Sequence, residues 1–137
     1  MTTDTQTPPT FSFLTDNRPG AKNTLVYEGE NIAQQQRQAF PNIEPLISNM
    51  TAQQAYDKAL TIAKSMGWEI IADQPTPFTF EATARTPFFN FADDIVIRVS
   101  AEESGSRIDI RSISRIGRGD RGVNAKRIIE FSKIFSN

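Results

Sequence analysis

The run "DIVIRVSAEESGSRIDIRSISR" (residues 94–115) decides how this chain is read. Two stretches in it alternate apolar and polar residues, with Ile95, Ile97 and Val99 in the first and Ile108 and Ile110 in the second. Period-two alternation sends successive side chains to opposite faces of a strand. The Glu-Glu-Ser-Gly break between the stretches supplies turn chemistry, so the pair reads as a β-hairpin. A two-residue Ser104-Gly105 turn would set Arg98 opposite Arg111. A turn over 102–105 sets Arg98 opposite Asp109, Val99 opposite Ile108 and Ile97 opposite Ile110. Opposite-charge and apolar cross-strand pairs each contribute up to about 1 kcal/mol, so the second register is expected. Ser112 and Ser114 then continue the apolar face, while Arg107, Asp109, Arg111, Ile113 and Arg115 take the other.

Working outward, "FTFEATAR" (78–85) alternates as cleanly, with Phe78, Phe80, Ala82 and Ala84 on one face. "WEIIA" (68–72) is a further strand, set apart by a loop that Pro75 and Pro77 enforce, and Trp68 at its start is read as core. A helix is expected from Thr51, which forms a capping box with Gln54. Ala52, Ala55, Tyr56, Ala59, Ile62, Ala63 and Met66 define its apolar face, and Gly67 ends it. A last helix is expected from about Arg121 to Phe135, with Asp120 as N-cap and Ala125, Ile128, Ile129, Phe131, Ile134 and Phe135 buried. Alternating strands need one face covered, and two amphipathic helices can cover it. The expected fold is α+β, a two-layer sandwich of a mainly antiparallel four-stranded sheet with two helices on one face, in the order α-β-β-β-β-α.

The N-terminal region has weaker signals. Residues 1–10 are rich in Thr, Pro and Gln and are expected to be a disordered tail. Residues 11–137 are expected to form one domain whose first part, 11–49, is irregular. There Pro19-Gly20 marks a turn, "NIAQQQRQAF" suits a short helix opened by Asn31, and "FPNIEPL" suits an extended segment laid over the body.

Composition excludes much chemistry. The 137 residues contain no cysteine and no histidine. Disulfides, thiolate metal sites, cysteine nucleophiles and histidine bases are therefore absent. No cofactor, metal site or catalytic residue is assigned, and the chain is read as more in keeping with binding than with catalysis. Net charge is -1, which argues against nucleic acid as a partner. Neither a signal peptide nor a spanning segment is read, so the expected location is cytoplasmic.

The stretch "IGRGDRG" (116–122) contains Gly-x-Gly-x-x-Gly between a strand and a helix. A dinucleotide fold needs a second parallel strand beyond that helix, and only fifteen residues follow Gly122. The turn is read as self-capped by Asp120, with anion binding near Arg115, Arg118 and Arg121 as the alternative. Asp93-Asp94 is the one adjacent aspartate pair. Neighbours along a strand face opposite ways, so the two cannot share a proton or a metal, and Asp94 is expected to ion-pair diagonally with Arg111. Ser112 and Ser114 either let the last helix approach closely or bond Asn124, with a small polar pocket as the alternative. "TPFFNF" (86–91) either plugs one end of the core or offers an apolar patch to a partner or membrane surface.

The segments "FADDIVIRV" (91–99) and "IDIRSISRIGRGDRGVNAKRI" (108–128) resemble the family known as domain of unknown function 1499. The resemblance falls on Asp93, Asp94, Arg111, Ser112, Ser114, Arg115, Gly117, Asp120, Gly122, Asn124, Arg127 and Ile128, and extends over about residues 39–135. The Cys-Pro-rich opening segment of many relatives is missing, and the family implies no activity, cofactor or partner. Candidate binding residues are Asp93, Asp94, Arg98, Arg111, Ser112, Ser114, Arg115, Asp120, Asn124 and Arg127. The expected role is a small non-catalytic binding or interaction module, taking a protein or a small anionic ligand on an open polar sheet face or at the phenylalanine loop. The alternative is an enzyme on a small anionic substrate, in which Asp93 or Asp94, Arg111, Arg115, Ser112 and Asn124 would converge in one pocket.

Overall fold

The computed structural model describes residues 1–86, 91–116 and 121–137. In chain order the elements are α1 (Glu30–Ala39), β1 (Leu46–Ser48), α2 (Ala52–Ser65), β2 (Glu69–Gln74), β3 (Thr79–Arg85), β4 (Ala92–Glu102), β5 (Gly105–Ser114) and α3 (Arg121–Ser136). The strands form one antiparallel sheet in the order β1-β5-β4-β3-β2. The α+β class and antiparallel sheet stand as expected, with a fifth strand and a third helix added. Three residues of β1 are too short to show alternation, and the helix at 30–39 starts one residue before Asn31, with Gly29 at the N-cap.

The β4–β5 hairpin has the expected register, Arg98 opposite Asp109, Val99 opposite Ile108 and Ile97 opposite Ile110. Gly105 closes it for a second reason. A Cβ at this position would lie 1.9 Å from the Ser48 carbonyl oxygen, so only glycine lets β1 pass there. At the far end of the sheet, the β2–β3 register shifts between Ile70 and Ala72, leaving a bulge at Ile71.

Phe80, Ala82, Ala84, Ile95, Ile97, Val99, Ile108 and Ile110 form the apolar face, roofed by α2 and α3. The Thr51 capping box is made in both directions, which orders the first turn of α2. Trp68 stacks on Phe131 of α3, ring centroids 5.6 Å apart. Each fully buried side chain of this kind stabilises by roughly 1.5–3 kcal/mol. Ile134, expected inside, is exposed on α3, because Ala125, Ile128, Phe131 and Phe135 already complete the inward stripe.

The polar face is not open, and two expectations are corrected by what covers it. Residues 1–10 are not a free tail: Thr2 and Thr3 are buried, and Thr2 bridges to Arg111 along the edge of β5. Residues 4–25 then run across the polar face as a strap. Its backbone supplies the partners that its composition lacks. The N–H groups of Ser12, Phe13 and Leu14 all donate to the carboxylate of Glu81 at 2.7–2.9 Å, and the carbonyls of Pro9 and Leu25 accept from Arg111. The sheet is thus covered on both sides, by helices on one and by irregular chain on the other.

Candidate functional site

The outer edge of β5 is completed piecemeal. β1 pairs with residues 106–108. Further along, the Thr3 N–H donates to the Ile110 carbonyl and the Ser112 N–H to the Met1 carbonyl, each at 2.9 Å. Beyond that, the N–H groups of Lys22 and Asn23 both donate to the Arg115 carbonyl. Where the second piece gives way to the third, a cleft of about 550 Å³ opens between β5, α1 and the strap. Tyr27, Asn31 and Gln35 stand on one side of it, and Ser112, Ser114 and Asn124 on the other.

Local sequence explains the opening. The apolar face of β5 changes from isoleucine at 108 and 110 to serine at 112 and 114, and the smaller side chains leave room where α3 begins. The vacated space carries a polar network. The Ser112 hydroxyl donates to Asn124 Oδ1 at 2.5 Å, and Asn124 Nδ2 donates to Ser114 Oγ at 3.0 Å. Arg127 Nη1 donates to Asn124 Oδ1 at 3.2 Å and stands 2.8 Å from Asp93 Oδ2. The Asp93 contact is close but poorly directed, so the carboxylate, 1% exposed, holds Arg127 by charge rather than by a well-formed hydrogen bond. The bond from the serines to Asn124 is as the sequence suggested, and it occurs together with a cleft.

Arg111 also lines the cleft, from the polar side of the sheet. It is 4% exposed, and among the described residues it has no carboxylate partner. Its guanidinium donates to the carbonyls of Leu25 at 2.6 Å and Pro9 at 3.4 Å, and lies 5.5 Å from the Phe11 ring and 5.6 Å from the Tyr27 ring. Burial pushes its pKa down; Tyr27 opposes that shift and the neighbouring Arg18 adds to it. Burial likewise raises the pKa of the Tyr27 phenol, whose hydroxyl is enclosed and has no hydrogen-bond partner among the described residues.

The other described candidates do not line this cleft. Asp94 does not pair with Arg111. It is buried on the strap side between Arg18 Nε at 2.5 Å and Arg115 Nε at 3.0 Å, and accepts from the Thr83 hydroxyl. Arg98 pairs with Asp109 and Asp4, again under the strap. Arg107 joins the same carboxylates, and its hydrogen bond to Asp109 raises its pKa. The carboxylates Asp94 and Asp109 are buried rather than spread over an open surface, with the strap's Arg18 and Asp4 joining their ion pairs, while Arg98 and Arg107 stay partly exposed. Asp120 and most of the glycine-rich turn lie outside the described residues, as do Phe88 and Phe89.

Sequence reasoning missed Glu81, Arg18 and Tyr27. The available signal was the charge on the outer face of β3 to β5, which carries Glu81, Asp94, Arg98, Asp109, Arg111 and Arg115 around a central Val96. A solvated face does not need a valine at its middle.

Among the described residues, no group of three Asp or Glu side chains is placed to hold a metal ion, and no helix is long and apolar enough to cross a membrane. Comparison with curated proteins finds no match. The family model described as Protein of unknown function (DUF1499) matches residues 1–135, which takes in the strap as well as the sheet and α3, and the chain belongs to that family.

Proposed function

We propose that the protein is a small binding module and that its site is the cleft at the edge of β5. The observation that carries this reading is the pairing of open volume with a fixed polar wall. About 550 Å³ adjoins Ser112, Ser114 and Asn124, whose side chains are already oriented by one another and by Arg127. That volume falls in the range of small-molecule pockets, and preorganised polar groups lower the ordering cost of binding. The catalytic alternative is less well supported. It required Asp93 or Asp94 and Arg115 to join Arg111, Ser112 and Asn124, whereas Asp94 and Arg115 bind each other beneath the strap and Asp93 is engaged with Arg127.

The test is a thermal-shift screen of small polar metabolites against the wild-type chain and Asn31→Trp. Asn31 is exposed on the α1 side of the cleft, so the indole would obstruct entry without disturbing the core. Compounds that stabilise the wild type should lose their shift in the variant. Hits that keep their full shift would place binding elsewhere and overturn the reading.

A further inference from the structure

We infer that the ligand of this cleft is a small oxyanion, a carboxylate or phosphate group on a compact molecule; this rests on the cleft being a binding site. Three observations lead there independently of the cleft's shape. The first is Arg111. A guanidinium that is 4% exposed normally has a carboxylate beside it, as Arg18 and Arg115 have in Asp94. Arg111 has two backbone carbonyls and two aromatic faces, which hold the group in place but leave its charge uncancelled.

The second is an excess of donors. The Tyr27 hydroxyl is enclosed with no acceptor among the described residues. The Ser114 hydroxyl accepts from Asn124, and no described acceptor takes its own proton. Buried donors without acceptors are costly, and an acceptor-rich ligand would relieve both. An oxyanion has several acceptor oxygens and no need of acceptors in return, and hydrogen bonds to ionised groups are the stronger kind.

The third is the arrangement of the compensating charges. Asp93, the buried acid nearest the polar wall, already holds Arg127 at 2.8 Å. Asp94 and Asp109 are held by arginines on the strap side. The carboxylate lining the cleft is Glu28, which is exposed to solvent and therefore screened. The interior of the cleft thus keeps a net positive side at Arg111.

The experiment is an amide NMR titration of the full chain with inorganic phosphate, malonate and glycerol, with ionic strength held constant by chloride. Saturable shifts at Tyr27, Ser112, Ser114 and Asn124 with phosphate or malonate, and none with glycerol, are expected. The two anions separate the phosphate and carboxylate sources of the same chemistry. Arg111→Met should weaken that binding at least about tenfold, a loss of about 1.4 kcal/mol or more. Arg111 also holds the strap, so Tyr27→Phe and Ser114→Ala, which remove one hydroxyl each, provide a second reading. Each should weaken anion binding several-fold in a folded protein.

Shifts in the cleft with glycerol but not with either anion would overturn the oxyanion assignment and leave the binding site standing. Anion shifts that survive all three substitutions would overturn it too. No cleft shifts with any of the three probes would overturn the oxyanion assignment, while metabolite hits blocked by Asn31→Trp would still support the site.

Discussion

Asp94 and Asp109 lie on the same face of neighbouring strands, both with no exposed side-chain surface, yet their arginine partners differ in access to water. The side chains of Arg18 and Arg115 around Asp94 are 2% and 12% exposed, whereas Arg98 and Arg107 around Asp109 are 27% and 33% exposed. Removing one member of a buried pair is costly chiefly because the other is stranded. Asp94→Asn is therefore expected to destabilise by about 3–5 kcal/mol. Asp109→Asn should cost less, about 2 kcal/mol, because Arg98 and Arg107 can turn toward solvent. Urea unfolding midpoints of the two variants check the order, and equal losses would count against it.

Glu81 binds three consecutive backbone N–H groups of the strap. Glu81→Gln removes the charge and turns one acceptor oxygen into a donor group. The strap should loosen locally before the sheet unfolds. Hydrogen exchange should accelerate first at Ser12, Phe13 and Leu14, with a loss of about 1–3 kcal/mol in their protection. Uniform acceleration across β3 and β4 would show instead that strap and sheet open as one unit.

Gly105 faces the Ser48 carbonyl so closely that any Cβ must displace β1. Gly105→Ala should break the β1–β5 pairing and cost about 1–3 kcal/mol or more, the range of overpacking. The amide signals of Ile47 and Ser48 should lose protection while those of β3 keep it. A wild-type unfolding midpoint in this variant would refute the close approach.

Asp4 contributes a pH dependence. Burial works to raise its pKa, but the N–H groups of Thr7 and Gln6, with Arg98 and Arg107, outweigh it and bring the value below the ordinary 3.8. The folded form thus binds the proton less readily than the unfolded chain. The resulting stabilisation is fully present above about pH 4 and is lost as pH falls through the folded value. Asp4→Asn should be less stable than wild type at pH 6, and the gap should narrow at about pH 3. A gap that is constant with pH would exclude this linkage.

Much of the sheet was legible in the sequence because alternation and register are local. Arg98 opposite Asp109 follows from matching two short strands, and the Thr51–Gln54 capping box needs only a four-residue window. The strap was not legible because its side-chain anchors, Asp4 and Arg18, reach partners far away in sequence, and much of the rest of its cohesion runs through its backbone. Ser12, Phe13 and Leu14 bond through backbone N–H groups to a glutamate nearly seventy residues away, and backbone groups are the same in every sequence. The cleft was half legible. The serines at 112 and 114 and their bond to Asn124 could be anticipated, but the opposite side is supplied by Tyr27 and α1, whose position depends on the bonds between Gln36 and Thr2.

The bulge at Ile71 has a consequence for concentrated solutions. β2 ends the sheet, and a straight terminal strand would offer a row of free amides and carbonyls to the same strand of another molecule. The extra residue breaks the spacing of that row, and Glu69 adds an exposed charge beside it. The molecule is therefore guarded against growing into fibres at this border.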